Sequence, residues 1–157
     1  MKLNKDWDFF SCLVVIEDPN AVPGKTIYDF FKILMEVLEL KFIVLDYIVG
    51  GGVSIANYQN QSDLILNISD FLKELKGVDQ FERGDFFLFR DYPSEWENPD
   101  GESYPYVIQQ TDTTLRVVDN TYLYLYTPYS AVEKQIMDVY KIESIKIASL
   151  EKLDYHF

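Results

Sequence analysis

Apolar and polar positions recur along the chain with periods that predict both strands and helices. Residues 9–17 form an apolar, β-like stretch that ends at turn residues between 18 and 24. Segment 26–41 is apolar at most positions and carries a narrow polar stripe at spacings of three and four residues. This pattern predicts a helix buried over most of its circumference against a sheet, with Thr26 as N-cap and Asp29 completing a capping box.

The remaining elements follow from the same periodicities. Strands are predicted at 42–49, 85–90, 104–110, 114–118, 121–127 and 143–148, and segment 53–58 is either a short strand or a loop. Helices are predicted at 69–76 and again after Thr127-Pro128. Asp119-Asn120 is a plausible hairpin connection between two of these strands.

This order of elements predicts the α+β class. We expect a single globular domain over residues 1–157 with a mostly antiparallel sheet of five to seven strands, about three helices and a flexible extreme C-terminus. The helix near 26–41 should cover one face of that sheet.

Charge and cysteine content narrow the function classes. The chain has 157 residues, 14 Lys and Arg, 26 Asp and Glu, and a net charge of −12. This acidity argues against direct nucleic-acid binding and against anionic membranes, which both require basic patches. No signal peptide and no 20-residue apolar span is recognisable, and Cys12 is the only cysteine, so we expect a cytoplasmic protein without disulfides.

The sequence contains few residues that could form a conventional catalytic or metal site. His156, the one histidine, is next to last, where a general base would be poorly held. Gly50, Gly51 and Gly52 could form a ligand loop but lack a phosphate-binding signature, so a turn or bulge is the preferred interpretation. We predict no catalytic residues, no metal and no cofactor.

The acidic charge is concentrated in one region. Residues 79–119 contain ten acids and three arginines, a net charge of −7. Trp96 lies within this region, and it either contributes to an interface or folds back to pin its loop to the sheet. The acids of the loop at 91–102, which are also a conceivable but poorly spaced cation site, complete the predicted partner-binding set: Asp91, Glu95, Glu97, Asp100 and Glu102.

Strict alternation in strand 121–127 places Tyr122, Tyr124 and Tyr126 on one face and two leucines on the other. The leucine face is expected in the core. The tyrosine face is either an exposed aromatic platform for a partner, joined by Tyr104 and Tyr106, or, slightly preferred, the underside of a covering helix.

Three hypotheses about function remain open. The leading one is an acidic module that binds and neutralises a basic protein, a physical character shared by bacterial immunity proteins against toxin nucleases and by phage anti-restriction proteins. The alternative is a structural or assembly subunit, for example a phage-related or self-associating one. The third is a histidine-independent enzyme or small-ligand-binding domain.

Overall fold

A computed structural model describes residues 8–18, 20–51, 58, 63–97, 104–140 and 146–149. Within them the helices are α1 (Pro23–Val37), α2 (Ile68–Leu75), α3 (Tyr104–Ile108) and α4 (Ser130–Tyr140). The strands are β1 (Asp8–Val15), β2 (Phe42–Gly51), β3 (Leu64–Asn67), β4 (Gln80–Phe89), β5 (Thr113–Val118), β6 (Tyr122–Thr127) and β7 (Lys146–Ser149). The α+β class is therefore confirmed, and the number of helices exceeds the predicted three.

The seven described strands form one sheet in the order β3-β2-β4-β5-β6-β1-β7, and all of its pairings are antiparallel. Strands β4, β5 and β6 are neighbours both along the chain and in the sheet. The first strand, β1, lies between β6 and β7. Residues that oppose each other in the register point to the same face, so the strand pairings define which side chains share each face.

Helices α1, α2 and α4 cover one face of the sheet, which we call the helix face. Phe30, Phe31 and Leu34 of α1 are fully buried there, and the ring of Phe31 packs edge-on against Phe86 of β4. Leu123 and Leu125 of β6 are buried on the same side, which confirms the leucine face as core. Cys12 also lies in this core, where burial and the nearby Glu133 raise the pKa of its thiol to about 12.

Helix α1 begins three residues earlier than predicted. Pro23 occupies its first turn, Val22 is the N-cap, and no side chain caps the helix, so the capping box expected at Thr26 is wrong. Proline is favoured at the start of a helix because its missing N–H would have had no partner inside the helix. The helix ends at Val37 rather than near residue 41.

Segment 104–110 was predicted as a strand, and this prediction is wrong. Tyr104–Ile108 forms the short helix α3, and residues 109–112 connect it to β5. Its apolar and aromatic residues suit a strand equally well. In the structure they form a helix that packs on the face of the sheet opposite the helix face, and burial of Tyr104, Val107 and Ile108 stabilises this helix.

Smaller corrections concern element boundaries. Gly50 and Gly51 continue strand β2 instead of ending it, β4 begins at Gln80, and α4 begins at Ser130 rather than at Pro128. The short strand β3 was not predicted. The short strand or loop proposed at 53–58 lies almost wholly outside the described residues, as do Gly52, His156 and the C-terminal tail.

The hairpin predicted at Asp119-Asn120 is confirmed. Both residues have positive φ (52° and 59°), as the two central positions of a type I′ turn require, and Asn and Asp tolerate this conformation best after glycine. The backbone N–H groups of Asp119 and Asn120 donate to the carbonyls of Glu82 and Phe81, at 3.0 and 2.8 Å. The turn is therefore tied to the first residues of β4.

Candidate functional site

The second face of the sheet, opposite the helix face, is divided into a covered half and an open half. Residues 92–97 and 104–110, which we call the cover segment and which include α3, pack over Phe87, Phe89 and Tyr126. At the opposite end of the strands, where β1 ends and β6 begins, residues of these two strands on the same face are exposed. Antiparallel sheets commonly leave part of one face in contact with water, and that part is available to a partner.

Trp96 holds the cover segment on the sheet. Its ring lies 4.9 Å from the ring of Phe87 and 5.7 Å from that of Phe89, and its indole Nε1 donates to Asp63 Oδ1 at 2.9 Å. Of the two roles predicted for Trp96, these contacts therefore support the one in which it folds back and pins its loop to the sheet. Glu97 adds two hydrogen bonds between its backbone and the side chain of Gln110.

A charged group of residues lies beneath the cover segment. Arg116 and Asp85 are 2% and 1% exposed, and the guanidinium donates from Nε to Oδ1 at 2.6 Å and from a terminal nitrogen to Oδ2 at 3.3 Å. The ring of Tyr104 stacks on the guanidinium at 4.0 Å, and Tyr104 also packs edge-on against Tyr126. Burial, with a smaller contribution from Asp85, raises the pKa of Tyr104 well above its usual range. The phenol is thus a neutral contact that attaches α3 to the sheet.

Two partly buried tyrosines, Tyr129 and Tyr140, predict that the protein loses stability in alkali. Burial first, and neighbouring carboxylates second, raise the pKa of Tyr129 and of Tyr140 from 10 to about 12. Because the folded chain keeps these protons while the unfolded chain loses them, stability is complete below pH 10 and falls between pH 10 and 12. Chemical denaturation at several pH values should show this decline, and Tyr129→Phe should make it shallower. Equal stability at pH 9 and pH 12 would contradict the prediction.

The open half of the second face presents apolar and aromatic side chains. Leu13, Val15 and Tyr122 are 40%, 43% and 38% exposed, and Tyr124 beside them is half-buried. Register pairs Leu13 with Tyr124 and Val15 with Tyr122, so these four residues form one contiguous surface, which we call the open patch. Contiguous exposed apolar side chains on a protein surface commonly mark an interaction site.

Exposed carboxylates surround the strand ends next to the open patch. Glu17 and Asp18 follow β1, Asp79 precedes β4, Glu82 lies near its start, and Asp119 occupies the clamped hairpin. We call these five residues the acidic rim. The backbone hydrogen bonds from Ile16 to Thr121 and from Asp119 to Glu82 join the strand ends that carry four of these acids. Arg83 lies nearby, with its guanidinium 3.7 Å from the buried Asp85.

The predicted partner-binding residues are not brought together into one surface. Asp91, Glu95 and Glu97 are exposed at the end of the sheet that the cover segment occupies, and Asp100 and Glu102 lie outside the described residues. Tyr126 is buried at that same end, Tyr124 is half-buried, and only Tyr122 of the three is exposed. Tyr122 and Tyr126 are four positions apart along the strand, a distance of roughly 13 Å. Tyr106 donates to Glu97 within the cover segment.

The other candidate sites gain no support. Gly50 and Gly51 lie in β2, paired with Phe81 and Gln80 next to a register irregularity at Val49. Within the described ranges, no group of three or more metal-ligating side chains is close enough to hold an ion. None of the described helices combines the length and the apolar character that crossing a membrane requires.

Comparison of the chain with models of protein families, with curated protein sequences and with solved structures gave no match in any of the three cases. Its function is therefore inferred from the chemistry of its own surface.

Proposed function

We propose that this protein is a binding module that recognises another protein with a basic surface, as an inhibitor or immunity-type protein does. The observation that carries this proposal is the open patch bordered by the acidic rim. Apolar and aromatic side chains supply affinity once water is excluded from them, whereas the charges outside this centre accelerate encounter and reject partners of the same sign.

The placement of the acids supports a basic partner in particular. Glu82 and Asp119 are held on neighbouring strand ends by a backbone hydrogen bond of 3.0 Å. Like charges held side by side repel each other, and a cationic partner relieves this repulsion. The overall charge of −12 acts in the same direction over a longer range.

A cytoplasmic location is part of this proposal. It is supported by the single cysteine, which is buried and has no partner cysteine in the sequence with which to form a disulfide.

The experiment compares two double variants that remove the same amount of charge. Glu17→Gln with Glu82→Gln neutralises part of the acidic rim, and Asp91→Asn with Glu95→Gln neutralises the loop at the opposite end. After a partner is captured from the native host, we expect the rim variant to slow association about tenfold at low salt and the loop variant to leave it nearly unchanged. Equal rates for wild type and the rim variant, or a larger effect of the loop variant, would contradict the assignment.

The open patch is tested by dissociation instead of association. Tyr122→Ala should shorten the lifetime of the complex, because loss of a central aromatic contact acts mainly on the dissociation rate. Val139→Ala, which truncates an exposed apolar residue of α4, is the matched control. A complex whose lifetime is the same for Tyr122→Ala and wild type would place the contact surface elsewhere.

Self-association is the alternative that the same patch permits. Sedimentation at high protein concentration distinguishes the two, because a second copy would have to bury the open patch. A monomer under these conditions favours the heterologous partner, and a dimer abolished by Tyr122→Ala favours the assembly subunit.

A further inference from the structure

The exposed surface of the second face extends beyond the open patch onto three more strands. Strand register aligns five residues of this face in one line across β1, β6, β5, β4 and β2: Val15, Tyr122, Val118, Arg83 and Val49. We call these five residues the cross-strand row. Val15, Tyr122 and Val49 are 43%, 38% and 43% exposed, Val118 is half-buried, and the side chain of Arg83 is 33% exposed. The row is therefore open to a partner along its whole length.

Buried charges border the cross-strand row on one side, and exposed acids border it on the other. On the side of the cover segment, β5, β4 and β2 carry Arg116, Asp85 and Asp46, which lie opposite one another and are 2%, 1% and 5% exposed. On the other side the strands end, and the acidic rim follows. A partner on the row thus meets exposed carboxylates along only one of its long edges.

The position and length of the row fit a helix better than an extended segment. Each of the five strands already pairs with a neighbour on both sides, so the row offers no backbone edge to which a strand could be added. Neighbouring strands are about 4.8 Å apart, which makes the row about 19 Å long. A helix laid along it repeats every turn, about 5.4 Å, and so places one side chain over each strand. Same-face side chains of an extended segment repeat about every 6.7 Å and lose this match after two strands.

Arg83 is the only charged member of the row, and its place defines a counterpart in the partner. Its guanidinium lies 3.7 Å from Asp85, which holds it at the fourth of the five positions. A partner that covers Arg83 displaces water from the exposed part of its side chain and must therefore supply an acceptor, for which a carboxylate gives the strongest contact. The acidic rim requires the opposite charge on the adjoining flank of the partner.

We propose that the cross-strand row is the docking site for an amphipathic helix of the partner. The helix lays an apolar stripe along the row, with one carboxylate opposite Arg83 and basic residues on the flank over the acidic rim. This inference rests on the proposed function, because it names the part of the basic partner that occupies the site.

The test adds synthetic helical peptides of about 16 residues to the isotope-labelled full chain and follows the amides of the chain by NMR. Each peptide carries four leucines and one glutamate on its stripe, with the glutamate opposite Arg83, and lysines on the flank over the acidic rim. Two versions are made, one for each direction of the helix along the row. We expect saturable shifts at the residues of the row with one version, and none with a peptide of the same composition in scrambled order.

Variants of the chain locate the contact. Val49→Ala removes a contact at the end of the row farthest from β1 and should weaken peptide binding about threefold, whereas Val139→Ala, comparably exposed on α4, should leave it unchanged. Replacing the glutamate of the peptide with lysine should weaken binding about tenfold with wild type but only about twofold with Arg83→Gln. Circular dichroism verifies that the variants are folded.

Several outcomes would overturn the inference: no saturable shifts, shifts confined to the open patch, equal binding of the scrambled peptide, or an equal effect of the lysine peptide on wild type and Arg83→Gln. Row shifts that depend on the concentration of the chain alone would assign the row to a second copy and overturn it as well. In the complex with a captured partner, a shorter lifetime for Tyr122→Ala without any effect of Val49→Ala would reject the helix on the row and leave the proposed function standing. No effect of either variant would reject both.

Discussion

Replacing Arg116 with methionine should lower the free energy of unfolding by about 3–5 kcal/mol, because Asp85 would remain buried without its bidentate partner. The substitution keeps an unbranched side chain about as long as the aliphatic part of arginine and removes the charged guanidinium group. It also removes the cation on which Tyr104 stacks at 4.0 Å, so α3 should loosen from the sheet together with the loss of global stability. Urea denaturation measures the first effect, and amide hydrogen exchange across α3 measures the second.

Two companion variants separate the charge effect from a packing effect. Asp85→Leu combined with Arg116→Met removes both charges and should recover most of the loss, because a buried ion pair contributes little relative to apolar residues of similar volume. Lys73→Met breaks an exposed pair with Asp70 at 3.8 Å and should change stability by no more than about 0.5 kcal/mol. A double variant as unstable as the single one would show that the charge is not the cause.

The sequence predicts most of the sheet because strand patterns are local. Alternation in 121–127 identified β6 and its leucine face, and the turn residues Asp119-Asn120 located the hairpin. The narrow polar stripe in 26–41 predicts the buried helix α1. Its true start at Pro23 was missed because Thr26 and Asp29 imitate a capping box.

The covered half of the second face was not predictable in the same way. Asp85 and Arg116 are 31 residues apart, and only the pairing of β4 with β5 places them opposite each other. Asp85 and Arg116 are charged residues within otherwise buried stretches of strand, and this is the signal in the sequence for a buried pair. Whether Tyr122, Tyr124 and Tyr126 were covered depended on α3, whose sequence was interpreted as a strand. One wrong element therefore left the exposure of the tyrosine face undecided.

The concentration of acidic residues in 79–119 predicts only part of the candidate site. Asp79, Glu82 and Asp119 of the acidic rim come from this region, but Glu17 and Asp18 come from the far end of the chain. The position of β1 beside β6 brings them together. The sequence allows Trp96 either an interface role or a pinning role, because its hydrogen bond to Asp63 and its two phenylalanine contacts depend on tertiary packing that sequence spacing does not encode.

Replacing Gly24 with alanine should be the second most damaging single change, with an expected loss of about 3 kcal/mol. A β-carbon at this position would lie 2.1 Å from the Leu75 carbonyl oxygen and 2.7 Å from that of Val78. These are backbone atoms, so the contact cannot be relieved by rotating a side chain, and α1 must move away from the end of α2. The Gly24 to Val78 hydrogen bond should weaken with it.

The other glycines provide a graded control for this prediction. A β-carbon at Gly84 would approach the Phe86 ring at 3.0 Å, and one at Gly51 would meet Gln80 at an ordinary 3.7 Å. Thermal or urea denaturation should therefore rank the losses as Gly24→Ala largest, Gly84→Ala intermediate and Gly51→Ala smallest. Because Gly→Ala makes the unfolded chain less flexible and is stabilising where the folded structure has room for the methyl group, equal losses at the three positions would show that close approach is not the cause. Because Gly24 fixes α1 against the segment after Lys76, Gly24→Ala should also disturb the amide resonances of Lys25, Tyr28 and Lys76, while Gly51→Ala should leave them in place.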